Sequence, residues 1–205
     1  MAIPRSTGQS RMVSESNGNR PPTIRLFHPA MDQPRRNTHH TAAPPGTKRM
    51  TTTTHTKTWA KDMAYDIEQA KRAILMTSLS LFPTRTLKLD TFSRWWLALA
   101  DAVKRGVALQ IALPAPHIAY QATMRNDIAA AMIREIGGTA IMIPATNLLH
   151  AKTCLIDASV AWVGSGNMTP AAMHDNRECY IRTNDTHAVA DLAGFIAQVF
   201  TASAK

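Results

Sequence analysis

Cysteine is scarce: the 205 residues hold two, Cys154 and Cys179. Neither has a C-x2-C neighbour, which excludes a zinc staple, and a disulfide framework cannot be built from one pair. Buried free thiols on two predicted strands are expected in preference to a disulfide, as suits a reducing compartment. No run of about 18 apolar residues occurs, so no spanning helix is expected. The stretch Met1 to Arg20 lacks the apolar centre of a secretory signal, which favours a cytoplasmic protein and leaves export open. The histidines outside the region described below (His28, His39, His40, His55, His117, His174, His187) form no H-x-x-x-H pair. No metal and no other cofactor is therefore expected.

Acidic residues are also in the minority, 14 against 23 Lys and Arg, for a net charge of +9. The excess is uneven. Residues 1–56 hold eight Lys/Arg against Glu15 and Asp32, a net +6, and residues 57–205 hold 15 against 12, a net +3. A balance of this sign favours polyanions such as nucleic acid or an anionic membrane surface, and says little about fold. The first 56 residues are rich in Pro, Thr, Ser, Asn and Arg, short of aromatics, and without hydrophobic period. Such a segment buries too little apolar surface to offset its ordering entropy, which predicts a disordered basic tail. It could be a solvated leader, bind nucleic acid through Arg35, Arg36, Lys48 and Arg49, or resemble a transit peptide. Met50, followed by four threonines, is an alternative start.

Periodic structure begins at Thr58, so a single domain is placed at 57–205. Trp59, Met63, Ile67, Ala70 and Ile74 recur at helical steps. Ala73 to Phe82 reads as the first strand, closed by Pro83. Thr91 or Ser93 can cap a helix carrying Trp95 and Trp96 and ended by Gly106. Two adjacent tryptophans cannot share one stripe, which sends one to the core and the other to a subunit interface. Strands are predicted at Val107–Leu113, Thr139–Ile143, His150–Asp157, Ala161–Gly164 and Glu178–Thr183, and helices near Ala122–Ile136 and Ala188–Ala202. Pro170 opens a short helical turn that Thr169 can cap. Alternating strands and helices indicate an α/β sandwich, a mixed sheet between helical layers.

The chemistry concentrates between His150 and Asn167. On a strand, His150 and Lys152 share a face, with Cys154 and Ile156 beyond them, so a nucleophile or base sits beside a fixed cation. The turn Gly164-Ser165-Gly166-Asn167 lets the backbone approach a ligand and offers a hydroxyl and an amide. Lys152 and Asn167 suit two non-bridging oxygens of a phosphodiester, while His150 attacks phosphorus or transfers a proton. Ser165 either bonds the phosphate or orients a neighbour. Asp157 has the opposite strand parity and is assigned to holding the turn by hydrogen bonds. His174 lies close in sequence and could assist, although a loop histidine is more often solvated.

The pattern H-x-K-x4-D-x6-G-S-x-N, complete at His150, Lys152, Asp157, Gly164, Ser165 and Asn167, resembles the signature of the phospholipase D superfamily. The resemblance spans roughly residues 57–203 and is nearest to that superfamily's small single-motif endonucleases. It implies a phospholipase D-like sandwich and a metal-independent phosphodiester hydrolase working through a phosphohistidine. It counts Asp157 among the defining residues. It places a carboxylate at Glu178, with Asp175 as runner-up, to hold the imidazole's tautomer. Larger members carry the motif twice; this chain carries it once, which implies a homodimer with two His150 side chains facing across a two-fold axis. One imidazole cannot be attacking base and proton donor in the same step, because the two roles need opposite protonation states. The expected substrate is DNA or RNA. A phospholipid headgroup ester would use the same residues, with Ala145–Leu149 as a modest apolar loop for it, and a non-catalytic nucleic-acid-binding module is the remaining reading.

Overall fold

A computed structural model describes residues 50–82, 90–144 and 148–202. The basic tail through residue 49, Pro83 and most of the Ala145–Leu149 loop lie outside the described residues. Seven strands form one sheet: β1 (Thr52–His55), β2 (Ala73–Thr77), β3 (Ala108–Pro114), β4 (Thr139–Ile143), β5 (Lys152–Ile156), β6 (Val160–Gly164) and β7 (Tyr180–Thr183). Their spatial order is β1-β7-β6-β5-β2-β3-β4. Strands β2, β3 and β4 run parallel, and β5, β6, β7 and β1 pair antiparallel in succession. The helices are α1 (Trp59–Glu68), α2 (Thr91–Lys104), α3 (Asn126–Glu135), α4 (Pro170–His174) and α5 (Thr186–Ala202). The fold is the mixed α/β sandwich that the alternation of elements predicts.

Parallel pairing requires the chain to return between strands, and α2 and α3 provide the returns. Both lie with α1 on one face, where Trp59, Met63, Ile67, Phe92, Trp95, Leu99 and Ile133 meet Ile74, Met76, Ile111, Cys154, Ile156, Trp162 and Tyr180 in one buried cluster. Helix α5 touches β2, β4, β5 and β6. Its Val189, Leu192, Ile196 and Phe200 are buried outside that cluster.

Several expectations need correction. Thr52–His55, assigned to the tail, is an edge strand paired with β7. Its threonines are exposed, so no hydrophobic period marks it, and main-chain pairing holds it instead. The folded unit therefore starts before residue 57. The first strand stops at Thr77, and Ser78–Phe82 is irregular apart from a bridge between Leu81 and Met168. Neither Thr91 nor Ser93 caps α2; the Asp90 carboxylate accepts from Ser93 N–H at 2.7 Å. That bond, ahead of an opposing contribution from burial, holds the Asp90 carboxyl below its ordinary pKa. Trp95 is the core tryptophan, whereas Trp96 lies along a cleft with Ala100, Met132 and Ile136, between α2 and α3. Cys154 is buried and burial raises its thiol pKa, but Cys179 is exposed just before β7.

A polar staple that shows no pattern in the sequence joins the layers. The Asp66 carboxylate on α1 accepts from Arg182 Nε (2.6 Å) and Nη2 (3.0 Å) and from Trp162 Nε1 (2.8 Å). The paired bonds use the fixed fork of the guanidinium, which makes this geometry specific as well as attractive.

Candidate active site

The carboxyl ends of β2, β3 and β6 lie at one edge of the sheet, where ligands of open α/β sheets usually bind. His150 and Lys152 arrive there as the chain enters β5. His150 is exposed and lies just before the strand, which begins at Lys152, so the predicted strand His150–Asp157 is shortened at both ends. The two side chains nonetheless meet. Lys152 Nζ is 3.0 Å from His150 Nδ1, 3.2 Å from Nε2, and donates to the His150 carbonyl at 2.7 Å. Lys152 is 5% exposed. Burial pushes its ammonium below the usual lysine pKa, and the Glu178 carboxylate works against that shift. A largely desolvated cation interacts more strongly with an anion than one in water, because the surroundings screen it less.

The Gly164–Asn167 turn leaves β6 beside this pair, with Gly164 opposite Lys152 in the sheet. Gly164 has to be glycine: a Cβ there would overlap the Tyr180 ring and the Cys179 carbonyl. The Tyr180 hydroxyl donates to the Gly166 carbonyl from a buried position. Asn167 follows with its Oδ1 buried and without a hydrogen-bond partner among the described residues. A buried acceptor left open costs about 1–3 kcal/mol, and only an N–H or O–H donor relieves it.

A strap on the neighbouring strands holds Asn167 in place. Met168 N–H donates to the Ser80 carbonyl (3.1 Å) and Phe82 N–H to the Met168 carbonyl (3.1 Å). The strap hangs on Asn126, fully buried at the start of α3. Its Nδ2 donates to the Leu79 and Pro114 carbonyls at 2.9 Å each, and its Oδ1 accepts from Leu81 N–H at 3.3 Å. From the side of β2, the Thr77 hydroxyl donates to the Ala151 carbonyl (3.1 Å), between His150 and Lys152. Thr77, Ser80 and Asn126 escape a reading by periodicity. The available signal was polar residues inside otherwise apolar runs.

The other predicted residues divide. Ser165 Oγ donates to Glu178 Oε2 at 2.5 Å and accepts from Cys179 N–H at 3.1 Å. Glu178 Oε1 accepts from Asn176 Nδ2 at 3.0 Å. Both carboxylate oxygens thus have partners on the β6–β7 connection, and within one chain Glu178 holds Ser165 rather than His150. Asp175 is exposed at the end of α4, and Thr169 Oγ1 caps that helix, as expected, by accepting from Ala172 N–H at 3.3 Å. His174 Nε2 lies 3.8 Å from Asp90 Oδ2, at the cap of α2.

Asp157 stands at the far end of β5. Its carboxylate accepts from the N–H groups of Lys71 (2.9 Å), Arg72 (2.7 Å) and Ala73 (3.0 Å), and its own N–H donates to the Ala73 carbonyl at 2.8 Å. Burial opposes ionisation there, yet the three N–H donors and the Arg72 charge outweigh it and hold the pKa below the ordinary value. Asp157 and Ala158 both have positive φ, 53° and 50°, the signature of a type I′ hairpin turn. The parity argument is correct in its consequence: this aspartate does not join His150, Lys152 and Asn167. Among the described residues no three His, Cys, Asp or Glu side chains gather as a metal site, and no helix is long and apolar enough to cross a membrane.

Residues 63–200 match the family described as cardiolipin synthase, PLD-like domain. The chain belongs to the phospholipase D superfamily. Solved structures agree in fold. NucT from Helicobacter pylori superposes with a TM-score of 0.60 at 12% identity, covering 75% of this chain and 98% of that one. Nuc from Salmonella typhimurium, a phospholipase D family member, gives 0.60 at 19% identity, covering 75% and 95%. Polyphosphate kinase from Porphyromonas gingivalis gives 0.54 at 14% identity, covering 74% of this chain but 26% of its own. No curated protein sequence matches significantly. For this phospholipase D-like chain the match places residues 1–62 outside the family region, although β1 is part of the sheet.

Proposed function

We propose that this protein is a metal-independent phosphodiesterase that hydrolyses nucleic acid through a phosphohistidine at His150, in a site completed by a second copy of the chain. The observation that carries the reading is the Lys152 ammonium, buried yet 3.0 Å from an exposed imidazole, on a strand position paired with Gly164, where the turn to Asn167 begins.

In the proposed reaction the His150 imidazole attacks phosphorus while Lys152 and the Asn167 amide hold non-bridging oxygens. The P–O bond to the leaving group breaks, and that oxygen takes a proton from the imidazolium of the second copy's equivalent residue. The resulting neutral imidazole then removes a proton from water, whose oxygen attacks phosphorus and breaks the N–P bond. Glu178 acts through Ser165, fixing the turn that carries Asn167, and Asp157 acts through the hairpin. The net charge of +9 supports a polyanionic substrate such as nucleic acid. The family description, which names cardiolipin synthase, favours a second substrate class for the same residues, phospholipid headgroup esters.

Plasmid and single-stranded DNA, RNA and phosphatidylcholine vesicles, each incubated with excess EDTA, separate these readings. Cleavage of nucleic acid by the wild type, with none by a folded His150→Ala variant, is expected. Full loss in EDTA that magnesium restores contradicts the mechanism, and turnover of lipid alone transfers it to the second class.

A further inference from the structure

The connection from Ala115 to Met124 leaves β3 at the same edge of the sheet as His150, and its backbone is tied to itself. Tyr120 N–H donates to the His117 carbonyl (2.9 Å) and Thr123 N–H to the Tyr120 carbonyl (2.8 Å). The buried Thr123 hydroxyl accepts from His117 N–H (3.0 Å) and donates to the Tyr120 carbonyl (2.8 Å). Ala119 N–H reaches His117 Nδ1 at 3.3 Å, which leaves the ring proton of that tautomer on Nε2. On this braced tip the His117 and Tyr120 rings stand 5.5 Å apart, tilted by 40°, and both are exposed. Between them in sequence Ile118 is 80% exposed. At the foot of the loop the Arg125 guanidinium lies 4.3 Å from the centre of the Phe82 ring.

Folding gains little from two rings and an aliphatic side chain held in water. Binding does gain, because a surface already fixed in shape loses less entropy on contact. Strand β3 is two places from β5 in the sheet, a separation of roughly 10 Å at the usual strand spacing. Exposed rings at the same end of the sheet as the Lys152 cation match the alternation of flat bases and charged phosphates in one strand.

We infer that the His117–Tyr120 tip is a stacking subsite for unpaired bases of a single-stranded nucleic acid whose phosphodiester lies at Lys152 and Asn167. The inference rests on the phosphodiesterase reading for its account of that pocket. Bases in a duplex stack on each other and cannot offer their faces to the tip, so the subsite selects single strands or unpaired ends. Ile118, between the two in sequence and exposed, serves as an apolar wedge against neighbouring bases.

The test uses full-length protein carrying His150→Ala to prevent turnover, with and without His117→Ala and Tyr120→Ala together. Fluorescence anisotropy measures binding to a labelled single-stranded 12-mer and to an abasic strand of equal length. The tip substitutions are expected to weaken binding of the 12-mer by about 10- to 100-fold and to leave the abasic strand unchanged. Tyr120→Phe, which keeps the ring, is expected to stay within about twofold of the parent. Equal weakening on both strands, no change on either, no measurable binding by the parent, or lost binding to phosphatidylglycerol vesicles in place of the 12-mer overturns the inference. Wild-type cleavage is scored separately. Base-dependent binding without cleavage keeps the subsite and removes the phosphodiesterase, and cleavage with base-independent binding does the reverse.

Discussion

The two ends of β5 are five residues apart and are built on opposite principles. At the Asp157 end every strong polar group has a partner: the carboxylate takes three main-chain N–H donors, and the hairpin closes with Ser159 N–H on the Ile156 carbonyl at 2.9 Å. At the Lys152 end a cation is buried at a depressed pKa, an imidazole stands in water, and an amide oxygen is left open. One end adds stability and the other gives some up, as groups held ready for a ligand commonly do. A single sequence signature covers both. Asp157 belongs to the signature, yet its carboxylate bonds main-chain N–H groups at the far end of the strand that Lys152 opens.

The largest expected effect breaks the comparison at its reactive end. Lys152→Met keeps the length and apolar stem of the side chain and removes the charge. It should lower kcat on nucleic acid by about 10³-fold, in line with losing a preorganised charge contact to the transition state. Stability should stay equal or rise by about 1 kcal/mol, because a buried ammonium no longer has to be desolvated. Urea titration with a parallel cleavage assay reads both, and a large loss of stability would show the ammonium to be a structural group.

Asp157→Asn is the reciprocal change and its effect is smaller. It should cost about 1–3 kcal/mol at pH 7, since the neutral amide accepts less strongly from three donors than a carboxylate does. Activity per folded molecule should stay within a few-fold of wild type. The pH dependence has a definite sign. A carboxyl whose pKa is lowered by folding contributes its stability above its unfolded value, about 3.9, and loses it as pH falls through the lower folded value. The gap between wild type and Asp157→Asn should therefore be full at neutral pH and close below about pH 4. A gap that persists to pH 2 would assign the effect to packing.

The same contrast explains what the sequence reveals. Helices and strands with apolar periods, such as α1, β4 and α5, are legible because hydrophobic burial builds them. So is the approach of His150 and Lys152, two residues apart, although His150 precedes the strand. β1 is not legible, since exposed threonines held by main-chain bonds leave no pattern. Nor is Asn126, whose three bonds go to main-chain groups on two different connections. The partners of Glu178 within one chain are likewise hidden: Ser165 and Asn176 on its own connection take its two oxygens, and sequence distance does not rank them. Cys179 shows the limit of composition, because cysteines are usually buried and this one is not.

The central claim is that His150 becomes bonded to phosphorus during turnover. Rapid acid-free denaturation of wild-type protein in the act of cleaving a labelled oligonucleotide, followed by peptide mass analysis at alkaline pH, tests it directly. The account predicts a labelled adduct on the peptide containing His150, one for every two chains, and none in His150→Ala. Steady cleavage with no adduct on that peptide, or an adduct that survives the substitution, would contradict it.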